Sequence, residues 1–527
     1  MTNRVSMFFG RKIFPLGLLA SLLLMMGSCN KQLDIDSSRQ ADEAGQWTRY
    51  EDARSGLMGM YGLFRAALAS DNAHWMYGEL RNGDFRSVFR PDLRAVIEGN
   101  LNASYPLIKN VTNWRKFYAA VNACNLFIER VDGCLADQRY TESYYRVDVA
   151  QARALRAFLY FYMSRIWGDV PLITKSHDGD SFPEMERTSQ DLVLSFAEKE
   201  LLEAAQRLPY LYSGTDPEQL YPNNYYGFNQ TEWSNALITR LGAYSLLAHI
   251  SAWKGQYYDA AIYADFVVNN FAQSAPDQAS VVSISTLVSP TGLFHASAGN
   301  YRQLIGFGFS REKGETTTEG HIEQLTLANT NNFPMSKQLP EIYVPKSVIS
   351  EVFPQQDPYD RRFGIDTTTA ANLPFTNYFE NYSAEIPVFK KIRVVDGGNN
   401  TTGKYAVFNS SIVFTRLEEM KLLRAEAFAV TGRTDDALRD LNDIRSSRGI
   451  SGVTIDAGVD LITEIFAERR RELMGEGWRW YDQVRYNKLK RNDPDFNALI
   501  DNGGIYWPIA QEVLSRNSKL EQNTYWK

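Results

Sequence analysis

"LLRAEAFAVTGRTDDALRDLNDIR", residues 422–445, carries two apolar-periodic segments hinged on a glycine, with Ala425, Gly432 and Ala437 spaced by seven and five. A second stretch, "LLAHISAWKGQYYDAAIYADFVV" at 246–268, repeats that spacing with Ala248, Gly255 and Ala260. Small residues at fixed offsets let two antiparallel helices approach closely, and the glycine supplies the turn between them. Either copy alone is also what convergent helix hairpins would give; two copies in one chain favour a repeated unit.

Such a unit is the tetratricopeptide device, a helix hairpin that buries its apolar face by stacking on neighbours. Other segments share the helical period. "EDARSGLMGMYGLFRAAL" places Leu57, Met60, Tyr61 and Phe64 on one face, and "WRKFYAAVNACNLFIERV" does so with Phe117, Val121 and Leu126 to Ile128. "VAQARALRAFLYFYMSRIWGDVPLI" reads as a long helix stopped by Gly168, and "TSQDLVLSFAEKELLEAAQRLP" opens on a Thr188-Ser189 cap and closes at Pro209. The predicted fold is all-α, a tetratricopeptide-like helix-hairpin scaffold with a large loop-rich insertion. Residues 51–270 form its N-terminal helical part and 412–527 its C-terminal helical part and tail, packed together as one domain. The insertion, 271–411, is rich in Gly, Pro, Asn, Ser and Thr, with strand-like pieces only at "ASVVSIS" and "PVFKKIRVV". A loop-rich segment of that length within a compact scaffold is usually functional.

The N-terminus reads differently. Arg4, Arg11 and Lys12 precede an apolar run, Ile13 to Met26, that suits a signal-peptide core better than a membrane span. Gly27, Ser28 and Cys29 follow. An ordinary secretory signal that happens to contain a cysteine is one reading; Met26-Gly27-Ser28-Cys29 resembles a bacterial lipobox, in which the signal (1–28) is cut away and Cys29 carries lipid. Residues 29–50 then serve as a polar tether. Several acyl chains on one site anchor far more firmly than one. Removing the signal's three cationic residues takes the formal charge from −6 to −9, which argues against a nucleic-acid partner. Cys124 and Cys134, the remaining cysteines of the 527-residue chain, sit ten residues apart on a largely helical path, too far for a bridge.

Motifs for chemistry are scarce. The histidines (His74, His177, His249, His295, His321) are scattered, and no P-loop, G-x-S-x-G elbow or dinucleotide fingerprint occurs. No cofactor, metal or catalytic residue is expected. "GFGFSREKG" at 306–314 reads as loop geometry. The densest cluster, "AERRRELMGEGWRWYDQVR" at 467–485, interleaves acids with its arginines; internal ion pairs, with Trp478, Trp480 and Tyr481 packed on a neighbouring helix, suit it better than nucleic acid.

With these segments in view, the chain resembles the SusD/RagB family of Bacteroidetes surface lipoproteins. The similarity is carried by "CNKQLDID", "ARALRAFLYFYMSRIWGDVPLIT", "RTSQDLVLSFAEKELLEAAQRLP", "FTRLEEMKLLRAEAFAVTGRTDDALRDLNDIRSSRGI", "ERRRELMGEGWRWYDQVR" and "YWPIAQEVLSRNSKLEQNTYW". It departs at Ala510, where the family usually has proline. The resemblance implies a non-enzymatic protein on the outer face of the outer membrane. It would bind oligosaccharides, or in some relatives peptides, and deliver them to a SusC-like TonB-dependent β-barrel transporter. It also implies four tetratricopeptide-like units supporting a loop-rich ligand face, whose binding residues no motif carries over. An exported lipoprotein glycoside hydrolase with unplaced carboxylates is the alternative.

Sugars lay C–H faces on aromatic rings and direct hydroxyls to polar side chains. Loops combining both are "HWMYGELRNGDFR" (Trp75, Tyr77, Arg81, Asn82, Asp84, Arg86), "YPNNYYGFNQTEW" (Tyr225, Tyr226, Asn229), "NYRQLIGFGF" (Tyr301, Arg302, Phe307) and "NLPFTNYFENY" (Tyr378, Tyr382). Local packing of turn aromatics is the competing explanation for each. The first and third loops are favoured, giving Trp75, Tyr77, Arg81, Asp84, Arg86, Tyr301 and Arg302 as candidate ligand contacts.

Overall fold

A computed structural model describes residues 46–177, 184–218, 224–228, 230–233, 236–275, 278–296, 300–309, 314–315, 317–330, 335–354, 359–364, 377–396, 407–456 and 458–527. The signal segment and Cys29 lie outside these residues.

Eight long helices stack in chain order. They are α1 (Tyr50–Ala69), α2 (Arg115–Arg130), α3 (Glu142–Trp167), α4 (Gln190–Ala205), α5 (Arg240–Lys254), α6 (Tyr257–Ser274), α7 (Leu417–Val430) and α8 (Thr434–Ser447). Each packs on the next, so four hairpins (α1/α2, α3/α4, α5/α6, α7/α8) form one continuous array. The small-residue device works as the spacing predicts. Ala248, Ala260, Ala425 and Ala437 are wholly buried, and Gly255 and Gly432 turn the chain at φ +78° and +82°, a region that favours glycine. α3 is buried on all sides from Ala154 to Trp167 and stops at Gly168, φ +74°. The expected cap of α4 is only half right. Ser189 occupies the N-cap position without a side-chain bond; Asp169 Oδ1 accepts the Gln190 N–H instead, at 2.8 Å.

Three further helices, α9 (Leu461–Glu472), α10 (Arg479–Lys490) and α11 (Pro494–Asp501), close the array. The loop-rich segment contributes small antiparallel ladders. β1 (Gln303–Phe307) pairs with β6 (Ile412–Arg416), β2 (Phe379–Glu380) with β3 (Val388–Phe389), and β4 (Val395–Asp396) with β5 (Val407–Phe408). "PVFKKIRVV" thus supplies two short strands, whereas "ASVVSIS" corrects the expectation. It ends in a helical turn, Ile284–Val288, started by the Ser283 hydroxyl accepting the Thr286 N–H. Its β-branched residues have no strand partner, because the Val282 N–H goes to the Glu418 carboxylate.

The 467–485 cluster is internal. Glu472 accepts hydrogen bonds from Arg362, Arg416 and Arg448, and all four side chains are fully buried. Arg469 bridges Glu419 and Asp482, Arg485 bridges Glu426 and Asp482, and the Trp478 ring stacks on His249 of α5 at 4.7 Å. Cys124 and Cys134 are free, buried thiols.

Candidate functional site

α1 presents two stripes. Ala53, Leu57, Met60 and Phe64 face the core; Arg54, Met58, Tyr61 and Arg65, spaced by four, three and four, face a cleft of about 380 Å³. The opposite wall is Phe228, Glu232, Trp233 and Ala236, and the floor is Ala296 with Gly306 to Phe309; Glu315 stands at one end. The "GFGF" glycines belong to this floor. Gly306 lies in β1, beside an irregularity in its pairing with β6. A Cβ on Gly308 would come within 2.7 Å of Ala296 Cβ.

The cleft joins rings to ions. The Arg54 guanidinium lies 4.7 Å from the Phe228 ring centre and Arg65 lies 5.1 Å from that of Phe309. Arg65 also donates to the Gly308 carbonyl at 2.6 Å and pairs with Glu315 at 3.1 Å. Phe228 meets Trp233 edge-on at 5.4 Å. The Tyr61 hydroxyl donates to Gln151 Oε1 of α3 and accepts the Ile238 N–H at 3.0 Å; burial raises its pKa well above the phenol range, so it stays a neutral donor and acceptor. Apolar rings flanked by two guanidinium groups and two carboxylates suit a ligand with both C–H faces and hydroxyls.

The candidate residues divide. Four of the first loop are core rather than surface, a correction with a clear cause. The segment Ala73–Trp75 with its π-helical continuation Met76–Leu80 docks on residues 475–505. Trp75 Nε1 donates to the Gly475 carbonyl and Tyr77 to that of Val111. Arg81 donates to Ile505 over the Trp480 ring, and Asp84 pairs with Arg470 and Arg479. Arg86 is exposed, its guanidinium folded back onto the Gly83 and Phe85 carbonyls. Tyr301 lines a small pocket of about 30 Å³ that shares Trp233 with the cleft, and Arg302 reaches the Ser280 carbonyl. Phe307 does line the cleft. Tyr378 is buried, Tyr382 packs on Phe363, and Asn229 lies outside the described residues. The second loop is at the cleft, but through Phe228 and Trp233; Tyr225 and Tyr226 are buried behind it. Among the described residues no His/Cys/Asp/Glu group could hold a metal ion.

Comparison with known proteins places this architecture. The SusD family model matches residues 366–498, and a model described as "Starch-binding associating with outer membrane" matches 97–221. SusD-like protein P38 of Formosa agariphila is 26% identical over 521 residues, 95% of this chain and 96% of its own. A laminarin binding SusD-like protein shares the fold at 18% identity and a TM-score of 0.65, covering 90% of this chain and 99% of that one. A SusD superfamily protein from Bacteroides thetaiotaomicron VPI-5482, whose crystal structure covers 92% of this chain and 100% of its own, is 45% identical with a TM-score of 0.81. Sequence and fold therefore agree over almost the whole length, and the chain belongs to the SusD superfamily.

Proposed function

We propose that this protein is a cell-surface lipoprotein that binds oligosaccharides in the cleft between α1 and the 228–236 and 306–309 segments. It hands them on unaltered to a SusC-like TonB-dependent transporter, held at the outer membrane by lipid on Cys29. The observation that carries the reading is the cleft itself, where Tyr61, Phe228, Trp233 and Phe307 stand among Arg54, Arg65, Glu232 and Glu315. Support comes from the outer-membrane, starch-binding description of one matching family model and from the fold shared with a laminarin binding protein. Glu315 is tied to Arg65, which suits a fixed hydrogen-bond acceptor rather than a proton shuttle. Calorimetric titration of the protein with maltoheptaose, laminarihexaose and a peptide panel, alongside product analysis, tests this. Saturable sugar binding without cleavage is expected; Phe228→Ala should weaken it about tenfold or more, as loss of roughly 1.5–3 kcal/mol of ring burial implies, and Arg65→Ala should weaken it by removing a hydrogen-bond donor from the cleft. Peptide binding instead, release of cleaved sugar, or unchanged affinity in both variants would overturn it.

A further inference from the structure

Behind the cleft, α3 carries two wholly buried polar side chains one turn apart, Asp148 and Gln151. Asp148 takes three phenolic hydroxyls. Tyr225 donates to Oδ1, while Tyr226 and Tyr140 donate to Oδ2, the last at 2.8 Å. Two of these tyrosines immediately precede Gly227 and Phe228, the residues that bring the loop to the cleft. Tyr226 and Gly227 are both left-handed, φ +51° and +79°, a conformation that costs a non-glycine residue about 1–2 kcal/mol and so needs fastening. Trp233 completes the wall by donating Nε1–H to the Tyr225 carbonyl at 2.8 Å. Gln151 does the same for α1: its Oε1 accepts from Tyr61, and its Nε2 donates to the Ile238 carbonyl at 2.6 Å and to Tyr212.

We infer that Asp148 is a positioning residue of the binding cleft, its carboxylate fixing the Phe228 loop through Tyr225 and Tyr226 while Gln151 fixes Tyr61. The inference rests on the cleft being the sugar site. A carboxylate accepts three donors on two oxygens; an asparagine has one acceptor oxygen and turns donor hydrogens toward a hydroxyl. Asp148→Asn therefore takes the carboxylate acceptor away from at least one phenolic O–H and loosens the loop's hold on its strained turn. If the binding-competent placement of Phe228 falls to about a tenth of the population, apparent affinity falls about tenfold.

Amide hydrogen exchange on the ligand-free full chain reads the loop directly. Asp148→Asn should speed exchange at residues 224–228 by about tenfold or more while residues 461–490 keep their protection. Tyr226→Phe, which removes one hydroxyl and little else, should do the same more weakly and decides the matter alone if Asp148→Asn does not fold. Affinity for whichever of maltoheptaose or laminarihexaose the wild type binds should fall about tenfold, and Asp148→Asn should add little once Phe228→Ala is present. Unchanged exchange at 224–228, loosening spread equally over the molecule, or full additivity with Phe228→Ala would overturn the positioning role. If the wild type binds neither sugar, the proposed function fails while the exchange result still judges this inference.

Discussion

Replacing Glu472 by alanine removes the anion at the centre of the buried charge cluster. Its carboxylate meets Arg448 at 2.7 and 2.9 Å, Arg416 at 3.1 Å through two nitrogens, and Arg362 at 3.2 Å. Burial alone would raise its pKa; Arg448, Arg416 and Arg362 outweigh that and hold it far below the usual carboxylate range. At an effective dielectric of about 20, one charge pair near 4 Å contributes about 4 kcal/mol, offset by desolvation of both ions. Deleting one partner leaves the other's desolvation uncompensated, at roughly 3–5 kcal/mol. The three arginines do not lose equally. Arg362 keeps Asp360 and Glu468, and Arg416 keeps Glu418 and Glu476. Arg448 keeps the Val282 carbonyl and the longer-range attraction of Glu418 but, among the described residues, no other carboxylate in direct ion-pair contact. Glu472→Ala should therefore sit near the upper end, about 4–5 kcal/mol, and Arg448→Met added to it should restore at least about 1.5 kcal/mol by removing the stranded cation. Urea unfolding followed by tryptophan fluorescence at pH 7 measures both. A loss under about 1 kcal/mol for the single variant, or a further loss in the double variant, would refute the reasoning.

Other outcomes follow from the same geometry. A Cβ on Gly78 would lie 1.9 Å from the Gly477 carbonyl oxygen, so Gly78→Ala should force the two segments apart and cost about 3 kcal/mol or more in urea unfolding; an unchanged midpoint would contradict the close contact. Burial pushes the Glu468 carboxyl up, but Arg362 and Arg471 prevail and hold it at about 2, below its usual 4.5. Its stabilisation is thus complete above about pH 4.5 and lost as pH falls toward 2, and Glu468→Gln should flatten the acid limb of a stability–pH curve over that window. An acid limb as steep as the wild type's would argue against it. Burial raises the Cys124 thiol to about 12 and the Cys134 thiol to about 11, so neither should react with a disulfide reagent at pH 8 until denaturant is added; rapid labelling of the native protein would count against their burial.

The hairpins were readable in the sequence because alanine and glycine at helical offsets have one structural use, and they use it at Ala248, Gly255, Ala425 and Gly432. What escaped reading depends on partners far along the chain. "HWMYGELRNGDFR" has the composition of an exposed loop, yet its partners lie some 400 residues away, at Gly475, Glu476 and Ile505. In "NNYYGFNQTEW" the polar-looking tyrosines are inside and the phenylalanine outside, because Asp148 supplies acceptors for both hydroxyls. The helical period of α1 groups Tyr61 with Leu57, Met60 and Phe64, yet in the structure it joins Arg54, Met58 and Arg65 at the cleft, because which of two adjacent stripes faces the core depends on what packs there.

The docking of residues 73–81 on the turn at 475–477 and on residue 505 has a consequence for how the molecule is made. During synthesis Trp75 and Arg81 wait for carbonyls made some 400 residues later, at Gly475 and Ile505, and His74, already beside Tyr162, waits as long for the Glu476 carbonyl. An early stop would then yield an array with an open, charged seam rather than a shorter working copy.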